Sequence, residues 1–385
     1  MLFSDIINQE KVKKQLIKAV NNGRVPHAQL FVAPEGTGGL PLAIAYAQYL
    51  LCKNTNGENN TGSSACNQKC NKLAHPDLHF AFPVATTAQI NKHAVSDLFL
   101  EEWRTFIATR PYGSLSDWYR FLNIENKQGK IGVEEAEAIV KKLALKSYEG
   151  GYKVLIIWMA EKLNTPAANK LLKLIEEPPD NTVILLVVEQ VEQLIGTIVS
   201  RCQQIFLQPL GDQHIMVALT DKEGLLENRA MAIAQRADGS YNKALQLVKN
   251  TGTEAQFEQW FIKWVRTAFK SKGNAAAIQE LIQWSETIAG KGREIQKIFL
   301  DYCLSFFRQA LLHNYGANPL VYLETETENF QLAKFAPFIH SANILQINQE
   351  LNDAIYHIER NGNAKVILLD LSIKLTRLLH TKELG

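Results

Sequence analysis

Leu30-Phe31-Val32-Ala33-Pro34-Glu35-Gly36-Thr37-Gly38-Gly39-Leu40-Pro41 is the stretch that decides the fold. The apolar run from Leu30 predicts a short strand, the Pro-Glu-Gly-Thr-Gly-Gly segment a tight loop, and Pro41 to about Leu51 a helix. Proline suits the first turn of a helix, where its missing N–H would have no partner. Strand, glycine-rich loop and helix in that order make a P-loop arrangement, whose phosphate-binding pattern is G-x-x-x-x-G-K-[ST]. Laid on this sequence, the pattern puts Ala33 at the first glycine, Gly38 at the second, Gly39 at the lysine and Leu40 at the Ser/Thr. Glycine brings no charge to the β- and γ-phosphates, and leucine brings no hydroxyl to Mg²⁺. The backbone of Gly36, Gly38 and Gly39 could still cradle an anion. The residues favour a retained turn over a competent ATPase, with no productive ATP/Mg binding and no cofactor expected.

Outward from this loop, strands and helices alternate. Ile6, Ile7, Val12, Leu16, Ile17 and Val20 form one helical face. Leu78 to Val84 reads as a strand, residues 96 to 109 as a helix, Pro111-Tyr112-Gly113 as a turn, Asn126 to Gly129 as a polar loop and Val133 to Leu145 as a helix. Phe99, Trp103, Phe106 and Ile107 share a helix face and read as core rather than as a base-stacking platform. Val154-Leu155-Ile156-Ile157 is a buried strand, and Trp158-Met159 stands where a working P-loop NTPase places a magnesium-holding acid. Asn164-Thr165-Pro166 caps a further helix, Val183 to Val188 is another strand, and Ile205-Phe206-Leu207 one more. This alternation implies an α/β fold: a parallel sheet with helices on both faces. After Pro209 the pattern turns helical, with a Gly239-Ser240 break, and the aromatic positions from Phe257 to Val265 read as a helix-packing face. The expected domains are 1–209, a nucleotide-binding-type domain; 210–250, a small helical domain; and 251–385, an all-α assembly domain.

The chain has 385 residues, 46% hydrophobic and 21% charged, with a net charge of +2. Such a balance excludes a strongly basic nucleic-acid coat and an acidic disordered chain. Apolar stretches fall short of the roughly 20 residues of a membrane span, and Met1-Leu2-Phe3-Ser4-Asp5 shows no leader pattern. Five unevenly spread cysteines argue against a secreted disulfide framework. The expectation is a cytoplasmic protein without membrane partners. Cys52, Cys66 and Cys70 bracket a polar loop, Asn54 to Gly62, with His75 and His79 after it. Zinc needs four N/S ligands at regular spacing. One C-x₃-C pair and a distant cysteine leave a zinc site possible and unliganded cysteines favoured.

A specific resemblance lies in Ala168-Asn169-Lys170-Leu171-Leu172-Lys173-Leu174-Ile175-Glu176-Glu177-Pro178-Pro179 and, after a strand, Thr197-Ile198-Val199-Ser200-Arg201-Cys202-Gln203. With Arg24-Val25-Pro26-His27-Ala28-Gln29-Leu30-Phe31, these stretches resemble the bacterial clamp-loader branch of the AAA+ family. The broken P-loop and missing acid are similar to its delta-prime group within the DNA polymerase III clamp loader, as is Glu359-Arg360-Asn361-Gly362-Asn363-Ala364-Lys365. The resemblance implies a RecA-like AAA+ domain, a helical lid and a helical collar that joins gamma/tau and delta subunits. It implies work on a sliding clamp and primer-template DNA, and a stator that hydrolyses no ATP of its own. It also implies that Arg201, beside Ser200, reaches ATP on the adjacent gamma/tau subunit. The chain departs from the family at Thr61 and Ser64, near two of the four zinc cysteines, and at Asn242, near the lid's sensor arginine. Its stretch from Ala85 to Lys130 is longer than in compact members.

An arginine suits that role because a planar guanidinium pairs with two equatorial oxygens of a transferring phosphoryl group and stays charged. The competing reading has Arg201 capping a helix or pairing with Glu189 or Glu192. A gamma/tau-like ATPase and a plain scaffold are the alternative functions. The helix starting near Thr165, with Lys170 and Lys173, could meet a DNA phosphate, or it is a solvated face.

Overall fold

The computed structural model describes all residues except 53–63, 88, 91, 125–126, 250–253, 322, 324–326, 328–329 and 383–385. The loop expected from Asn54 to Gly62, Thr61 within it, and Asn126 lie outside the described residues. The chain forms two compact units, Met1–Leu247 and Val248–Gly385.

The first unit is built on five parallel strands: β1 (Ala28–Val32), β2 (Leu78–Ala81), β3 (Lys153–Trp158), β4 (Thr182–Val188) and β5 (Gln203–Phe206). Their order is β2-β3-β4-β1-β5. This is the α/β architecture with a parallel sheet expected from the sequence. Every residue of β3 and β4 is buried, so helices cover both sheet faces. The helix after the glycine loop starts at Gly39 and runs to Cys52, two residues earlier than proline alone suggested. β2 stops at Ala81 because Pro83 has no N–H to give a ladder; Val84 then makes an isolated antiparallel bridge to Lys130. The helices Asp212–Glu223, Glu227–Ala237 and Tyr241–Lys249 follow, broken at Gly239-Ser240 as read.

The long connection from β2 to β3 carries the helices Leu100–Thr109 and Leu115–Phe121. Their aromatic residues are core, as the helical spacing indicated: Trp103, Phe106 and Trp118 are fully buried. Trp103 stacks on Phe82 at 4.1 Å and lies 5.2 Å from the rings of both Trp118 and Trp158. Trp118 Nε1 donates to Pro83 O at 2.9 Å. Trp158, the residue in place of the acid, is thus the point where this connection grips the sheet.

The second unit is all-helical, with Glu254–Lys270, Ala275–Ala289, Arg293–Asn314, Ser341–Glu359 and Ala364–Leu378 as its main elements. Trp264 and Trp284 stack at 4.9 Å, and Trp264 Nε1 donates to Ser372 Oγ. No helix among the described residues is long and apolar enough to cross a membrane.

Trp103→Ala should destabilise the first unit by about 3–5 kcal/mol, lowering the midpoint of its own urea transition, with the transition of residues 248–385 unmoved.

Candidate functional site

In an open parallel sheet, ligands bind beyond the carboxyl ends of the strands, where strand order reverses. Here β1 lies between β4 and β5, and the loop Ala33–Gly38 leaves it at that edge. The end of β3 supplies Trp158 and Met159, and the end of β4 supplies Glu189. Gly36 and Gly38 hold positive φ angles, +74° and +96°, which side-chain-bearing residues seldom adopt. The turn is therefore preserved.

Other parts of the unit crowd the turn. Tyr241 N–H donates to Gly36 O at 3.0 Å, and Asn242 Nδ2 donates to Glu35 Oε1 at 3.0 Å. A Cβ on Gly36 would meet Ser240 Oγ at 2.0 Å, and one on Gly38 would meet the Tyr112 ring at 3.0 Å. The cavity left among the loop, Tyr112, Trp158, Met159 and Glu189 is about 30 Å³. A pocket for a drug-sized ligand takes about 300–1,000 Å³.

Gly39 and Ala33 interlock. A Cβ at position 39 would lie 2.4 Å from the Ala33 methyl and 3.1 Å from Val187 Cγ1. The first glycine of the pattern and its lysine are lost as a pair, because the alanine fills the space a lysine stem would need.

Carboxyl groups stand at the strand ends beside the turn. Glu161 Oε1 accepts from Glu189 N–H at 2.9 Å, while its buried Oε2 has no partner. Burial, then the charges of Glu35 and Glu161, push the Glu189 carboxyl up to about 8. Burial likewise raises Glu161. The sequence suggested Glu189 only as a partner for Arg201, and assigned Glu161 no role. The only signal available was their positions just past two strand ends.

Arg201 follows the short helix Gly196–Val199 and precedes β5. Its side chain is exposed; Nε pairs with Glu176, and Nη1 donates to Thr197 O at 2.9 Å and to Ser200 Oγ at 3.4 Å. The partner is Glu176, and neither Glu189 nor Glu192. Exposed pairs of this kind are worth about 0–1 kcal/mol, so the guanidinium exchanges partners at little cost. Cys202 is half-buried, and burial pushes its thiol up to about 11.

At the Thr165–Glu176 helix, the Asn164 side chain already accepts from Ala167 N–H at 2.9 Å. Lys170 pairs with Glu137. Thr165 and Lys170 are exposed, but part of what they could offer a phosphate is already spoken for.

The sulfurs of Cys52, Cys66 and Cys70 come together, with Cys52 and Cys66 joined in a disulfide and Cys70 Sγ 3.7 Å from Cys52 Sγ. Neither reading of the sequence, zinc or unliganded thiols, included that bond. The separation of fourteen residues concealed that the helix Ala65–Asn71 folds back onto the end of Gly39–Cys52. Disulfide sulfurs cannot serve as thiolate ligands, and burial pushes the remaining Cys70 thiol up to about 12. Ser64 is used in capping Asn67 N–H. His75 lies near Cys66 and Glu149 but accepts from Asp77 N–H and faces Glu149 Oε2. In this arrangement the donor set does not fit a four-coordinate zinc.

Two outcomes test the site. Gly39→Lys alone should destabilise the first unit by about 1–3 kcal/mol through overpacking, and Ala33→Gly in the same chain should recover part of that loss in thermal unfolding. A carboxyl raised in the folded state binds more protons folded than unfolded between its ordinary 4.5 and about 8. Stability therefore falls as pH rises through that window; Glu189→Gln should flatten the fall, read as the melting temperature at pH 5 against pH 9.

Residues 8–211 match the family model described as DNA polymerase III, delta subunit. The chain is 27% identical over 304 residues to DNA polymerase III subunit delta' of Bacillus subtilis, a match covering 79% of this chain and 77% of that one. It is 26% identical over 243 residues to the delta' subunit of Escherichia coli, covering 63% and 60%. Against the tau subunit of Bacillus subtilis it is 28% identical over 251 residues, covering 64% of this chain and 37% of the other. With more than half of its length matched by the model, the chain belongs to the DNA polymerase III delta-subunit family.

Proposed function

We propose that this chain is a non-hydrolysing, delta-prime-type stator of a DNA polymerase III clamp loader, and that Arg201 acts in trans on nucleotide held by a neighbouring gamma/tau subunit. The observation that carries the reading is an exposed arginine, held only by weak surface contacts, on a chain whose own P-loop retains about 30 Å³ of space. An arginine supplied in trans is worth about 10³ to 10⁵ in rate, and supply by a neighbour ties hydrolysis to correct assembly.

In this reading the helices between Asp212 and Lys249 are the lid, and residues 251–385 the collar that meets gamma/tau and delta subunits. Exposed apolar residues on the second unit support an assembly surface. Leu345 and Tyr356 lie eleven residues apart on one helix, and Val366 and Ile373 seven apart on the next, so each pair shares a face. Contact with the sliding clamp and primer-template DNA belongs to the assembly; Thr165 and Lys170 are the proposed points of phosphate contact, and zinc at Cys52, Cys66 and Cys70 would require the disulfide to be reduced. The likeness to a tau subunit raises the gamma/tau-type ATPase as a second reading. Gly39, Leu40 and Trp158 weigh against it, since the chain offers neither lysine, hydroxyl nor acid to ATP/Mg.

Arg201→Ala in a loader reconstituted with its gamma/tau and delta partners should leave assembly intact and lower hydrolysis at the adjoining site by roughly 10³ or more. Arg201→Lys should not restore it, because an ammonium lacks the planar fork. Unchanged DNA-dependent ATPase with an intact assembly would sink the proposal.

A further inference from the structure

The segment between β2 and β3 has so far served only as packing, yet it sends one side chain into the P-loop. Tyr112 lies in the turn between the helices Leu100–Thr109 and Leu115–Phe121 and is 5% exposed. Its ring covers Gly38, at the distance where a Cβ on that glycine would touch Cε1. Its hydroxyl accepts from Ile7 N–H at 2.8 Å. Its ring meets the edge of Tyr241 at 5.2 Å between centroids, and Tyr241 in turn donates its backbone N–H to Gly36 O. One side chain therefore touches three separate parts of the first unit: the N-terminal segment, the glycine loop and the start of the helix Tyr241–Lys249.

We propose that Tyr112 occupies the P-loop pocket as an intramolecular ligand and joins these three parts in the way a bound nucleotide would. The site is filled as well as stripped of its lysine, hydroxyl and acid. Two features outside the tyrosine agree with this. The residual cavity is about 30 Å³, and its lining includes the Glu189 carboxyl and no lysine or arginine to meet a phosphate. The arrangement of the sheet against the helices from Asp212 to Lys249 then depends on this chain alone and does not respond to ATP. The inference is independent of Arg201, and either result for Arg201→Ala leaves it standing.

Hydrogen exchange on the full chain tests it. In the wild type, millimolar ATP·Mg should leave protection at residues 36–42 and 240–247 unchanged. Tyr112→Ala should speed exchange at both segments by roughly tenfold or more, with residues 254–382 unaffected. Added p-cresol, the tyrosine side chain as a free molecule, should slow it again, since apolar cavities left by truncation take up small aromatics. Should the alanine variant not fold, Tyr112→Phe retains the ring and should lose protection only at the Ile7 amide. Unchanged exchange at 36–42 and 240–247 in Tyr112→Ala, unchanged Ile7 protection in Tyr112→Phe, or new protection of the wild-type loop by ATP·Mg would each overturn the proposal.

Discussion

Trp158 packed against Trp103 and Phe106 is the contact on which the rest of the first unit depends. An indole at the end of β3 needs a large apolar partner, and the connection from β2 to β3 supplies one. The turn that follows, at Pro111-Tyr112-Gly113, lies at the glycine loop. An acid at position 158 would be buried among aromatic rings, where an unpaired charge is costly. Loss of the acid and the presence of a long aromatic connection are therefore one structural fact.

The same logic separates the two ends of the sheet edge. Around the glycine loop several groups are held from elsewhere in the unit: Gly36 O by Tyr241 N–H, Glu35 by Asn242, and Gly38 under the Tyr112 ring. At Ser200-Arg201, well past the end of β4, contacts are exposed and weak. A rigid scaffold with one loosely held cation at its surface suits a residue that must exchange its own carboxylate for another molecule's phosphate, the role proposed for Arg201.

The architecture was legible because the strand cores are continuous apolar runs and the glycine loop announces its neighbours. The Thr182–Val188 strand and the Thr165–Glu176 helix fall within a residue or so of where periodicity and capping put them. The losses at 39, 40 and 158 were legible as missing chemistry. What replaced them was not. Pro111-Tyr112-Gly113 has the composition of any turn, and nothing local says its tyrosine points inward. Glu161 and Glu189 belong to different crossovers, so their approach is a product of parallel pairing in β3 and β4. Cys52 and Cys66 lie either side of a polar loop whose length conceals their proximity.

The interlock of Ala33 with Gly39 bears on both residues. A side chain at 39 meets the Ala33 methyl, and a glycine at 33 alone removes that methyl from a closely packed site. The two positions are therefore coupled across the loop, and a change at either is felt through the other.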